Sequence, residues 1–194
     1  MAPMTRTPSM GRWTESFSVE PHPFGEETSY RKAVDFLDVG GVLEDWGCGT
    51  GWARRYVKNS TYVGLDGSPR PEGTRADPAT GLPYVYADRI VDLREYRSDA
   101  DSILLRQVLE SNWEWREILA NLLASFRRRA VIVLFTPFSA SGREVNKRPD
   151  LEIPELRIPC GEFMGLVGPT LAREETLASN YLNQIEQMFY LERR

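Results

Sequence analysis

VLEDWGCGTGWARRYVKNSTYVGLD, residues 42–66, holds two short apolar runs separated by a glycine cluster and a helix-compatible segment. VLEDW (42–46) ends on acidic residues and opens into GCGTG (47–51), and WARRYV (52–57) follows, which reads as strand, glycine turn, helix. TYVGLD (61–66) is a second strand of the same type. Two strands joined through a turn and a helix are the unit from which parallel sheets are built.

Downstream the pattern continues. The Pro/Gly-rich stretch from Gly67 to Pro83 leaves little room for a full helix, and a third short strand is expected between Tyr84 and Val91. SILLRQVL (102–109) is a fourth strand. Trp115, Ile118, Leu119, Leu122, Leu123 and Phe126 then keep one apolar helix face, with Ser111 and Glu114 spaced as a capping box. VIVLFT (131–136) is an uninterrupted β-branched and aromatic run, as expected of a parallel strand buried on both faces. Pro137, Pro149, Pro154 and Pro159 punctuate a long loop that no regular element should occupy, and loops of that length are usually lids or binding loops. A short helix at 162–167 and two strands at 174–178 and 186–191 close the chain as a hairpin.

Upstream, Tyr30, Ala33, Val34 and Leu37 follow helical spacing until Gly40-Gly41 stops the pattern. Pro3, Pro8, Pro21 and Pro23 make residues 1–25 an extended arm, which leaves residues 26–194 as a single domain. Composition fits a folded chain: of 194 residues 41% are hydrophobic and 27% charged, which excludes a disordered tail or a rod. With 24 basic and 28 acidic residues the net charge is −4, too acidic for a chain whose main task is gripping a phosphate backbone. No apolar run reaches membrane-span length and the N-terminus lacks a secretory signal, so a soluble cytoplasmic protein is expected. The two cysteines, Cys48 and Cys160, are too few and too placed for a disulfide scaffold or a thiolate zinc site.

The glycine turn lies where open α/β sheets bind ligands. A phosphate loop needs Lys and Ser or Thr after its last glycine, and Trp52 and Ala53 stand there; the dinucleotide fingerprint needs a third glycine where Trp52 stands. The loop reads G-x-G-x-G behind Asp45. A carboxylate facing a pyrophosphate costs Coulomb energy, whereas a cationic ligand gains it. Asp66 follows Asp45 by 21 positions, near the spacing of about 20 at which an acid meets a ribose hydroxyl pair.

VLEDWGCGTG, YVGLD, DRIVDL, DSILLRQVLE and VIVLFTPF, in this order over residues 28–136, resemble class I S-adenosylmethionine-dependent methyltransferases. The resemblance implies an α/β fold with a Rossmann-like, mostly parallel sheet of about seven strands, helices on both faces and a C-terminal antiparallel hairpin. It implies S-adenosyl-L-methionine as cofactor and an O- or N-methyl transfer, with the acidic balance favouring a small acceptor such as a sugar or secondary metabolite. Methylation of nucleic acid or protein, or a non-catalytic cofactor-binding module, are the alternatives.

Residue by residue, the resemblance matches Asp45, Trp46, Gly47, Cys48, Gly49 and Gly51 to the motif around the methionine part and Asp66 to the acid on the ribose. Asp92, or Asp88 if the third strand ends early, matches the residue facing the adenine. Gln107, Val108 and Leu109 match the segment passing under the sulfonium. Many relatives carry His after the Glu of this fourth-strand motif, and here Ser111 stands there. Glu110 sits where an acceptor would arrive, or is satisfied by backbone amides; His22, between two prolines, is either an exposed residue of the arm or a base. No metal site is expected.

Overall fold

The structure, a computed structural model, describes residues 25–67, 87–150, 153–180 and 183–193. His22 and most of the Gly67–Pro83 stretch lie outside the described residues, as does the N-terminal arm up to residue 24.

Strands β1 (Val42–Trp46), β2 (Thr61–Asp66), β3 (Arg89–Ile90), β4 (Ser102–Arg106), β5 (Arg129–Leu134), β8 (Leu171–Ala178) and β9 (Ile185–Glu192) form one sheet in the order β3-β2-β1-β4-β5-β9-β8. The first five are mutually parallel; β9 runs antiparallel to β5, and β8 antiparallel to β9. This is the seven-stranded α/β arrangement with a terminal antiparallel pair that the sequence leads one to expect. The order reverses beside β1, which has β2 on one side and β4 on the other, so the ligand crevice of such a sheet belongs at their carboxyl ends.

Period-two alternation sends side chains to two separate cores. On one face Trp46, Leu65, Ile103, Leu105 and Ile132 pack against α2 (Trp115–Ser125) and α3 (Cys160–Val167). On the other, Leu43, Leu104, Val131, Val133 and Met188 pack against α1 (Glu27–Leu37), whose Tyr30, Ala33, Val34 and Leu37 are all buried. α1 stops at Asp38, whose carboxylate accepts the amides of Lys58, Asn59 and Ser60 at 2.7–3.0 Å. Those bonds draw the carboxylate below its ordinary range against the opposing effect of burial.

Three local expectations give way. WARRYV forms only a five-residue 3-10 helix (Trp52–Tyr56). Gly51 enters it in the left-handed region, Val57 leaves it extended, and the Asp38-bound turn takes up residues 58–60, so no room is left for a full helix. The Ser111–Glu114 capping box is absent: Ser111 belongs to a 3-10 turn (Leu109–Ser111), Asn112 is extended, and Glu114 precedes α2 with no side-chain cap bond, its carboxylate 3.7 Å from Arg94. The proline-punctuated loop does hold regular structure, the short antiparallel pair β6 (Val145–Asn146) and β7 (Leu156–Arg157). Its anchors are the Thr136 hydroxyl on the Leu156 carbonyl (2.6 Å), the Ser139 amide on the Ile158 carbonyl (2.9 Å), and the buried side chains of Leu156 and Ile158.

Arg127, Arg128 and Arg129 are engaged with Asp99, the Val39 carbonyl and Glu192 respectively and form no open basic patch. Neither cysteine is in a disulfide. Among the described residues no helix is long and apolar enough to cross a membrane.

Candidate functional site

Strand parity assembles the site. Asp45 shares the α1-facing side of β1 with Leu43, Tyr62 and Asp66 share that side of β2, and Arg106 shares that side of β4 with Leu104. Asp45, Asp66 and Arg106 lie toward the carboxyl ends, at the reversal of strand order, while Tyr62 starts near the amino end of β2 and reaches them through its side chain.

Four of the five amides of the glycine loop are already engaged. Gly47 and Cys48 amides donate to the Leu65 carbonyl (2.7 and 2.9 Å), the Gly49 amide donates to Asp66 Oδ2 (2.9 Å), and the Gly51 amide donates to the Cys48 carbonyl (2.8 Å). A phosphate cradle works by aiming successive amides outward at an anion. Here those four amides serve protein acceptors, and the groups held beside them are carboxylates. Gly47 has φ +71, and a Cβ there would lie 2.4 Å from Val108 Cγ2. Gly47→Ala should therefore destabilise the chain by about 2 kcal/mol through backbone strain and overlap, and pairing it with Val108→Ala should recover part of that, measured by urea unfolding.

Asp45 is 3% exposed and accepts the Tyr62 hydroxyl at 2.6 Å. Burial pushes its carboxyl up to about 6, with Asp66 adding to the rise and the Tyr62 hydroxyl and the Arg106 and Arg54 charges opposing it. Burial likewise raises the Cys48 thiol well above its ordinary value, helped by Asp66, Asp45 and Asp88, so at neutral pH it is a protonated, unreactive side chain. Asp66, distant in sequence, is thus brought to Asp45 and the glycine loop that follows it.

Other sequence candidates are placed differently. Trp46 has its side chain fully buried in the α2-side core, on the face opposite Asp45, with Nε1 donating to Glu44 (2.8 Å), so it offers the crevice its backbone alone. β3 ends at Ile90, which puts Asp92 just beyond its carboxyl end and Asp88 before it. Asp88 is taken up by Arg54 (2.5 Å) and the Gly64 amide (2.7 Å). Asp92 is buried and gripped by the Arg94 guanidinium and amide, which hold its carboxyl below its ordinary range. Gln107 leaves β4 in the left-handed region (φ 56), its amide on the Val133 carbonyl (2.9 Å). Val108 is buried against Gly47.

Glu110 is 2% exposed. Its Oε1 accepts the Phe135 amide at 2.6 Å, while Oε2 has no hydrogen-bond partner among the described residues. Burial pushes its carboxyl up to about 7, against the Phe135 amide, its own amide and the Arg106 charge.

Two features escaped the sequence reading. Arg106, the last residue of an otherwise apolar strand, is sandwiched between the rings of Tyr30 (3.8 Å) and Phe135 (4.5 Å). It donates to Glu186 Oε2 (3.1 Å) and Ser29 Oγ (3.0 Å). The second is the Tyr62 hydroxyl on Asp45. An arginine ending SILLR was a visible irregularity, although its partner lies 80 residues away.

No family profile matches the chain, and no curated protein does. Solved structures do. The N-methyltransferase NodS from Bradyrhizobium japonicum WM9, in complex with S-adenosylhomocysteine, is 10% identical with TM-score 0.64, over 95% of this chain and 97% of that one. The 1,6-didemethyltoxoflavin-N1-methyltransferase of Burkholderia thailandensis, with 1,6-didemethyltoxoflavin and S-adenosylhomocysteine bound, is 17% identical with TM-score 0.62, over 87% and 79%. The magnesium protoporphyrin IX methyltransferase of Synechocystis PCC 6803, with S-adenosylmethionine bound, is 15% identical with TM-score 0.61, again over 87% and 79%. The chain has the class I, Rossmann-like fold of S-adenosylmethionine-dependent methyltransferases.

Proposed function

We propose that the chain is an S-adenosylmethionine-dependent methyltransferase, with residues 26–194 as its single domain, that methylates an oxygen or nitrogen of a small molecule such as a sugar or secondary metabolite. The observation that carries this reading is the charge of the crevice: Asp45 and Asp66 meet around a glycine loop in which the Gly47, Cys48, Gly49 and Gly51 amides already serve protein acceptors. Such a site repels a diphosphate and favours a ligand bearing a sulfonium and an ammonium. The likeness to structures holding S-adenosylmethionine or its product supports the same ligand.

On this reading Asp66 holds the ribose hydroxyls, the backbone of residues 45–51 lies along the methionine part, Asp92 neighbours the adenine, and Gln107 and Val108 lie below the sulfonium. Bound there, the cofactor supplies an electrophilic methyl group. The chain's own contribution is to orient the two reactants, a gain on the order of 7–11 kcal/mol where alignment is good. The net charge of −4 supports a small acceptor over nucleic acid.

Calorimetry with S-adenosylmethionine and S-adenosylhomocysteine tests the cofactor, with one site per chain expected. Transfer of labelled methyl into the low-molecular-weight fraction of a host extract tests the acceptor class. Label in RNA or protein would replace this reading by a macromolecular one, and binding of neither ligand would end it.

Glu110 carries a separate expectation. Its folded-state acidity lies near 7 against an ordinary 4.5, so the folded protein holds the proton more tightly, and stability falls as pH rises from about 4.5 to 7 and stays low above. Glu110→Gln removes that loss while its amide oxygen still accepts from Phe135. The variant should be roughly 1–2 kcal/mol more stable than the parent at pH 8 and no more stable at pH 4, by urea unfolding at both. A variant stabilised equally at both pH values would mean that Glu110 does not titrate in this range.

A further inference from the structure

Tyr62 pairs in register with Leu43, and Gly64 with Asp45. Asp45 is therefore the diagonal neighbour of Tyr62 on the shared face, about 7–8 Å away by backbone and within reach of an aromatic side chain. Gly64 contributes no side chain beside Asp45, which leaves the lane along which the Tyr62 ring extends toward the carboxyl edge. There its hydroxyl meets Asp45 Oδ2 at 2.6 Å. The ring is also fixed from outside by the Arg54 guanidinium, 4.5 Å from its centroid, and Arg54 is held by Asp88. Phenylalanine would fill the same lane without a buried hydroxyl to satisfy, so the hydroxyl serves the carboxylate rather than the packing.

We infer that Tyr62 is a positioning residue of the crevice, whose hydroxyl fixes the Asp45 carboxylate and keeps it charged for a cationic ligand. The inference rests on the methyltransferase reading for the identity of that ligand, though not for the pairing itself. The charged and titratable groups of the described residues that bear on Asp45 are Tyr62 and Asp66 from β2, Arg106 from β4, Arg54 from the 3-10 helix and Cys48 from the loop. Burial and Asp66 favour the neutral carboxyl; Tyr62, Arg106 and Arg54 favour the carboxylate. Tyr62 is the only one of these three in direct hydrogen-bond contact among the described residues, and it is uncharged, so replacing it alters the balance without moving a formal charge.

The test is Tyr62→Phe. Loss of one charge-assisted hydrogen bond should make the Asp45 carboxyl about tenfold less acidic. At pH 6 the charged fraction then falls about fivefold, whereas at pH 8.5 nearly all of it survives. S-adenosylmethionine affinity by calorimetry should accordingly drop about fivefold at pH 6 and less than twofold at pH 8.5. An equal loss at both pH values, as a merely structural role would produce, or no loss at either, overturns the inference. Should the parent bind no S-adenosylmethionine, the functional reading fails by itself, and Tyr62 is judged by side-chain carboxyl NMR of the ligand-free protein. There an aspartate titrating near 6 in the parent and higher in Tyr62→Phe supports the inference, and an unmoved titration overturns it. If Tyr62→Phe does not fold, Asp45→Asn decides: the pH dependence of S-adenosylmethionine binding between pH 5 and 8 should vanish, and its persistence would overturn the role of Asp45 that Tyr62 is inferred to serve.

Discussion

Replacing Asp66 by alanine should weaken S-adenosylmethionine binding by at least about a hundredfold while leaving the chain folded. A carboxylate accepting a ligand hydroxyl contributes about 1.5–3 kcal/mol, and a ribose offers two hydroxyls, so a loss of about 3 kcal/mol is a conservative expectation. The fold should survive because Asp66 ends β2 at the carboxyl edge and belongs to neither apolar core. What the protein itself loses includes the bond from the Gly49 amide to Oδ2, worth about 1 kcal/mol. Part of the affinity loss will come from that bond, since it holds the glycine loop against the strand end. Asp66→Asn separates the two contributions, because its amide oxygen still accepts from Gly49 while the charge is gone. Calorimetry gives the affinities and thermal melting the integrity. Parent-like affinity in Asp66→Ala would remove this residue from the site, and with it the use made of the spacing between Asp45 and Asp66.

That spacing was legible because it depends on local rules. β1 and β2 are short apolar runs flanked by turn residues, and the structure starts and ends them at Val42, Trp46, Thr61 and Asp66 as the sequence reading does. The glycine loop could be separated from phosphate loops by composition alone, since Trp52 and Ala53 stand where Lys and Ser or Thr are needed. What stayed hidden depends on the third dimension. Trp46 adjoins the loop in sequence, but alternation along β1 turns it to the other core, away from Asp45. The 3-10 helix at Trp52–Tyr56 is short because Asp38, at the end of α1, captures the following turn. β3 falls within the expected stretch from Tyr84 to Val91, but its two residues are too few to carry a pattern that fixes its ends. β6 and β7 each hold two residues as well, and prolines on either side mask their pairing. Tyr62 and Asp45 belong to different strands, and their contact needs the parallel register that puts Gly64 between them in the lane.

The strand order β4-β5-β9, which brings Arg106 to Glu186, hides the largest stability effect expected. Arg106→Met should cost about 3–5 kcal/mol in urea unfolding. Glu186 is fully buried, and without Arg106 its charge is stranded. The obvious repair, Glu186→Leu, would be a poor one: Glu186 Oε1 also accepts the Glu26 amide (2.6 Å) and the Ser179 hydroxyl (2.9 Å), and both donors would lose that acceptor. Glu186→Gln removes the charge and keeps an oxygen for those donors, so Arg106→Met with Glu186→Gln should recover most of the loss. The size of the coupling distinguishes an ion pair from ordinary packing. Methionine also gives up the contacts with Tyr30 and Phe135, but those rings can close on an apolar chain, and their share should persist in the double variant as a residual of about 1 kcal/mol. A single variant costing less than 1 kcal/mol, or a double variant no better than the single, would show that Glu186 does not depend on Arg106 for its charge. Crowding at Gly25 argues that it does. At φ +71 that glycine lies so close that a Cβ would come within 2.3 Å of Glu186 Oε1 and 2.4 Å of Phe135, so the chain entering α1 is closed over the carboxylate and leaves little space for solvent to replace the guanidinium.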